Sequence, residues 1–120
     1  MTMSGSCLCW AVRYEITGSF KLLGNCHCSM CRKAHGAAFV TWGIVDPDQF
    51  HWGAGKEFVH GYESSPGNRR CFCKQCGSPL VSTHGIVKAM APALPRCARF
   101  LHFRTLSKEE FIGLLTDSRP

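Results

Sequence analysis

The chain has 120 residues, a length that fits one domain and leaves no room for two independent cores. With 45% apolar and 18% charged residues it does not read as disordered, and its longest apolar stretch, residues 36–45, is half the roughly 20 residues of a membrane helix. A formal charge of +6 invites a nucleic-acid partner, yet the basic residues are scattered and form no run, so that partner is not expected.

Val12-Arg-Tyr-Glu-Ile16 alternates apolar and polar residues, the period of a half-buried strand. Residues 38–45 are rich in β-branched and aromatic side chains and predict a second strand, with Gly43 as a candidate bulge. Residues 57–62 alternate again. Ser64-Ser-Pro-Gly-Asn68 then signals a turn before a strand over residues 70–73. Trp42, Trp52, Phe39 and Phe50 read as core. Near the end, Ser107-Lys-Glu-Glu110 has the form of a capping box, and Leu106 and Phe111 occupy the staple positions. A short helix over residues 108–116 is predicted there. Strands between turns with no βαβ rhythm imply a mainly β, antiparallel architecture.

Nine cysteines need a reason. The first residues have neither the basic start nor the apolar core of a signal peptide, so a soluble protein in the reducing cytoplasm is expected. There, clustered thiols read as metal ligands or catalytic groups, not disulfides. In Cys73-Lys-Gln-Cys76-Gly77 the chain turns tightly and two sulfurs converge, glycine supplying the positive φ that follows. A closed tetrahedral zinc site needs two more ligands. Cys7 and Cys9 supply them if they lie on a strand, where residues i and i+2 share a face. Such a four-cysteine site would staple a small core.

The middle cluster, Cys26, Cys28 and Cys31, provides three thiolates from one six-residue segment. Three protein ligands with one open position is the pattern of a zinc site available to substrate. There zinc would deprotonate an incoming thiol or water and polarise a carbonyl beside it. The alternative is a closed site, with His27, His35, His60 or Cys71 recruited by folding. A thioredoxin-like role for Cys73 and Cys76 lacks the required βαβ context. Cys71 and Cys97 otherwise read as small apolar residues. Two zinc ions on seven thiolates lower the net charge by about 3, leaving the chain mildly basic.

Together these segments resemble a known family. Gly5-Ser-Cys-Leu-Cys9, Val12-Arg-Tyr14, Asn25-Cys-His-Cys-Ser-Met-Cys-Arg-Lys33, Gly36-Ala-Ala-Phe39, Tyr62, Ser64-Ser-Pro-Gly67 and Phe72-Cys-Lys-Gln-Cys-Gly-Ser-Pro-Leu80 occur in the order found in glutathione-dependent formaldehyde-activating enzymes, a family that includes centromere protein V. The resemblance runs over residues 4–81 as a family-like core within a single domain, 1–120. It implies a β-tent-like fold of coiled antiparallel sheets. It implies a structural zinc on Cys7, Cys9, Cys73 and Cys76 and a second zinc on Cys26, Cys28 and Cys31, the second set being catalytic. The implied activity is a carbon–sulfur lyase reaction joining glutathione and formaldehyde as S-(hydroxymethyl)glutathione. Arg32 and Lys33 are the candidate contacts for the tripeptide's carboxylates, with Arg69 and Arg70 as further choices and His27 as a candidate proton relay.

Two departures stand out. Trp10 occupies a position where the family leads one to expect glycine, and residues 83–120 read as a divergent tail without the family's usual pattern. A shortened sheet would expose edges that a second copy could cover, so a homodimer is a candidate state. The competing functions are a non-catalytic zinc module that binds a macromolecule and a thiol or metal sensor built on the middle cluster.

Overall fold

A computed structural model describes residues 2–84 and 99–102. Among these residues nine strands form two antiparallel sheets, accompanied by one helix and two short 3-10 turns. The predicted helix over residues 108–116 and Cys97 lie outside the described residues.

The smaller sheet joins β1 (Thr2–Ser6), β2 (Arg13–Thr17) and β5 (Phe50–Ala54) in the order β1-β2-β5. Alternation builds its inner face: Met3 pairs with Ile16, Gly5 with Tyr14 and Ile16 with Phe50, all five buried. The rings of Tyr14 and Phe50 stack at 5.2 Å, and Trp52 meets Phe50 edge-on at 4.7 Å. Burying such a cluster is the main stabilising term available to a sheet of three short strands.

The larger sheet contains β3 (Leu22–Cys26), β4 (Val40–Val45), β6 (Val59–Ser65), β7 (Asn68–Cys73), β8 (Pro79–His84) and β9 (Arg99–His102), in the order β3-β4-β9-β8-β7-β6. The turn predicted at 64–68 is the β6–β7 hairpin, whose tip is Pro66-Gly67. β9 lies between β4 and β8, so part of the stretch read as a divergent tail forms an interior strand. Val45, Cys73, Leu80 and Val81 carry the core of the smaller sheet across to this one.

Three local expectations are corrected. Gly43 pairs in unbroken register with Leu23 and with Leu101, so no bulge forms there. Residues 56–58 form a 3-10 turn and not the start of a strand, because Gly55 takes φ 73° and its carbonyl accepts the Phe58 amide at 2.9 Å. Of the four aromatics read as core, Phe39 is 46% exposed and lies against the His27 ring at 5.3 Å.

The helix α1 (Ser29–His35) escaped the sequence reading. Its seven residues bury nothing, so no apolar period marks it. Its start is capped by Cys28, whose Sγ accepts the Cys31 amide at 3.3 Å, and its end by Gly36 at φ 56°.

Candidate functional site

The seven cysteines singled out by spacing gather into two groups. The Sγ atoms of Cys7, Cys9, Cys73 and Cys76 all lie within 4.8 Å of one another. Cys7–Cys9 and Cys9–Cys73 sulfur distances are 3.5 and 3.9 Å. Tetrahedral zinc with bonds of about 2.3 Å has sulfur–sulfur edges of roughly 3.8 Å, so this donor set fits a soft divalent cation.

The first pair converges by a different device from the strand predicted. Cys7 follows β1, and Leu8 and Cys9 form a turn closed by the Trp10 amide on the Cys7 carbonyl at 3.1 Å. The Cys7 sulfur also accepts the Val12 amide at 3.3 Å. In the second knuckle the Gly77 amide reaches the Cys73 carbonyl at 2.7 Å, with Gly77 at φ 78°. Ser78 ties the knuckles together, its hydroxyl accepting the Leu8 amide at 2.9 Å and lying 3.2 Å from the Cys76 sulfur.

Charge is unevenly placed in this group. Burial opposes ionisation of Cys76, but the Ser78 hydroxyl and amide and the donors of Cys9 outweigh it and bring the thiol down to about 5. The Ala11 amide favours a Cys9 thiolate, yet desolvation and the thiols of Cys7, Cys76 and Cys73 prevail and hold it near 12. The Cys76 thiolate is thus favoured by donors from Ser78 and Cys9, and a bound cation would favour thiolates in the same way.

Cys26, Cys28 and Cys31 form the second group, again within 4.8 Å of one another. Cys26 ends β3, Cys28 caps α1 and Cys31 sits in its first turn. No fourth Cys, His, Asp or Glu donor joins them among the described residues. His27 turns to Phe39, His60 packs against Phe72 at 5.5 Å, and Cys71 sits in β7 opposite Gly61. The Cys31 amide, ahead of burial and of bonds from Cys26, brings Cys28 down to about 7. Burial, with the thiols of Cys28 and Cys26, pushes Cys31 up to about 11 against the pull of Arg70.

Beside this group lies a cleft of about 410 Å³ between the end of α1 and the β6–β7 hairpin. Ala34 and His35 line it from α1, Tyr62, Arg70 and Phe72 from the hairpin, and Gly77 of the second knuckle lines it as well. Arg70 joins cleft and cluster, its Nη1 and Nη2 lying 3.8 and 3.7 Å from the Cys31 sulfur. Arg32 and Lys33 line a separate depression of about 370 Å³ with Ser29 and Gly36. Nothing in local sequence distinguishes Arg70 from Arg69, Arg32 or Lys33, so the cluster-facing cation was not identifiable from sequence.

A family profile described as glutathione-dependent formaldehyde-activating enzyme matches residues 2–94. The chain belongs to that family. The match extends beyond residue 81, where the motifs end, and so includes β8 and part of the stretch read as divergent. A Halomonas elongata protein carrying the same family description is 30% identical over 132 aligned positions, covering 95% of this chain and 82% of that one. An uncharacterized lyase of Schizosaccharomyces pombe is 32% identical over 76 residues, 63% of this chain and about half (53%) of that protein's length. A Rhodobacter sphaeroides crystal structure shares the fold, with a TM-score of 0.66 over 88% of this chain and 89% of that one, at 21% identity. The mainly β, antiparallel architecture read from the sequence is the one observed. No helix among the described residues is long and apolar enough to cross a membrane.

Proposed function

We propose that this chain is a zinc-dependent carbon–sulfur lyase-type enzyme acting on glutathione, or on similar small thiols, and their aldehyde adducts, with S-(hydroxymethyl)glutathione formation as its reaction. The observation that carries this reading is the three-thiol group of Cys26, Cys28 and Cys31 with no fourth donor among the described residues, bordered by a cleft of small-molecule size. Membership of the family and the relatives' names supply the reaction class. Fold alone would not.

Two metal sites with different duties follow. Cys7, Cys9, Cys73 and Cys76 would hold a structural zinc, four ligands closing it. Cys26, Cys28 and Cys31 would hold the second, which when bound stabilises a substrate thiolate at neutral pH. The protein's own groups do the rest. The cleft receives the thiol between α1 and the hairpin, and its aromatic wall of Tyr62 and Phe72 excludes part of the solvent. Arg32 and Lys33, on the same short helix as Cys31, offer cations to the tripeptide's carboxylates. In the reaction the sulfur–carbon bond forms, the carbonyl π pair moves to oxygen, and the thiol's proton ends on that oxygen. His27, which lies between Cys26 and Cys28 in the chain, is the proposed relay for that proton. We take the chain as one domain working in the reducing cytoplasm, where such thiols stay available.

Cys28→Ser tests the assignment. Elemental analysis should show two zinc ions per wild-type chain and one in the variant, with adduct formation abolished and the fold kept. A Cys28→Ser protein with full turnover would overturn the mechanism.

A further inference from the structure

We propose that Arg70 is the hydrogen-bond donor that receives the negative charge developing on the aldehyde oxygen as the carbon–sulfur bond forms. The inference rests on the thiol-addition reading above and goes beyond it by assigning the oxyanion contact.

Arg70 and Arg69 are sequence neighbours with opposite placements, as alternate residues of a strand must be. Arg69 is exposed and its side chain lies across Gly61. Arg70 is half-buried, lines the cleft and turns toward the cluster. Its guanidinium is held at both ends. Nε donates to the Ser64 hydroxyl at 3.0 Å, and the two terminal nitrogens rest on the Cys31 sulfur at 3.8 and 3.7 Å. A guanidinium has five N–H groups. Those three contacts use one hydrogen on each nitrogen and leave two more on the terminal nitrogens.

The position decides which anion this cation serves. In thiol addition the new charge sits on the oxygen of the carbon bonded directly to sulfur, two bonds from the sulfur held beside the cluster. Glutathione's nearest carboxylate is several bonds further along the chain. A donor touching a cluster sulfur is placed for the first and badly placed for the second, whereas Arg32 and Lys33 remain available to carboxylates. Arg70 transfers no proton itself, because its guanidinium acts only as a hydrogen-bond donor. It donates hydrogen bonds to the alkoxide, which then takes the proton released by the thiol. A preformed donor of this kind adds stabilisation that appears only as the charge develops.

The test uses the full chain as purified, with Arg70→Ala and Arg70→Lys. Metal content is read by elemental analysis, glutathione affinity by calorimetry, and adduct formation by exchange of ¹³C-formaldehyde with glutathione and with 2-mercaptoethanol, which has no carboxylate. Both variants should keep wild-type metal content and glutathione affinity. In Arg70→Ala, kcat should fall about 100-fold with both thiols, the usual loss for one oxyanion donor. Added guanidinium ion should restore part of it, and Arg70→Lys should recover only a fraction. An unchanged rate would overturn the proposal. So would weakened glutathione binding with an intact mercaptoethanol rate, which makes Arg70 a carboxylate anchor, or loss of metal from the variants, which makes it a support for the cluster. Wild-type protein inactive toward every thiol would sink the enzymatic reading itself, a result distinct from any of these.

Discussion

Trp10 closes the turn that carries Cys7 and Cys9, and to do so it takes φ 65°, a conformation no other non-glycine residue adopts among those described. A side chain in that region costs about 1–2 kcal/mol. The indole recovers little of it by burial, being 70% exposed. Glycine, the residue the family resemblance leads one to expect here, would remove the strain and lose about 0.5–1 kcal/mol through the freedom of its unfolded chain. Trp10→Gly should therefore stabilise the protein by roughly 0.5–1 kcal/mol, read as a higher denaturant midpoint at constant slope. A lower midpoint would mean that the ring makes contacts this account omits. The departure at position 10 was visible in the sequence, but its cost was not, because φ depends on the turn that the two cysteines share.

The elements differ in what holds them. Gly55 and Gly77 both have positive φ, 73° and 78°, so alanine is strained at either. A Cβ at Gly77 meets nothing within 4 Å, whereas at Gly55 it would collide with the Ala11 carbonyl, the backbone joining the first knuckle to β2. Gly77→Ala should cost about 1–2 kcal/mol. Gly55→Ala should cost clearly more, because backbone must move, and equal midpoints for the two in denaturant titrations would contradict this. Helix α1 poses the opposite case. Seven residues with no buried side chain make a marginal helix in water. Cys28 at its cap and Cys31 in its first turn would be pinned by a shared metal ion. Stripping that ion should melt α1 while the sheets persist, seen as fast amide exchange confined to residues 29–36. Protection unchanged after chelation would show that the helix stands without it.

At the scale of the molecule, the four-cysteine group joins the turn after β1 to the turn after β7, so one ion would tie the smaller sheet to the larger. Two of these cysteines, Cys7 and Cys73, are 2% and 0% exposed and belong to the apolar core. With an ion bound there, loss of one of these cysteines would leave the buried thiols uncompensated and remove a staple between the sheets. Cys73→Ser should lower the melting temperature by on the order of 10 °C or more, since structural zinc contributes folding free energy directly. Cys26→Ser, at the end of β3 where the thiol is only half-buried, should lower it far less. Similar losses from both would mean that the second group is equally structural.

By itself the sequence determined the parts whose signals are local. Thiol spacing named both cysteine groups, alternation located β2, and the Ser64-Ser-Pro-Gly-Asn68 turn located the β6–β7 hairpin, because ligand chelation, strand pleat and turn chemistry each act over a few residues. Tertiary structure decided everything that depends on residues distant in sequence. It put Cys7 and Cys9 in a turn and not on a strand, since the Cys7 carbonyl accepts the Trp10 amide, the Cys7 amide bonds to the Val12 carbonyl and the Leu8 amide to the Ser78 hydroxyl. It made β9 an interior strand although its sequence shows no clear period, because pairing with β4 and β8 satisfies its backbone on both sides. And it chose Arg70 among four candidate cations, since only folding of the hairpin against α1 brings one guanidinium onto the Cys31 sulfur.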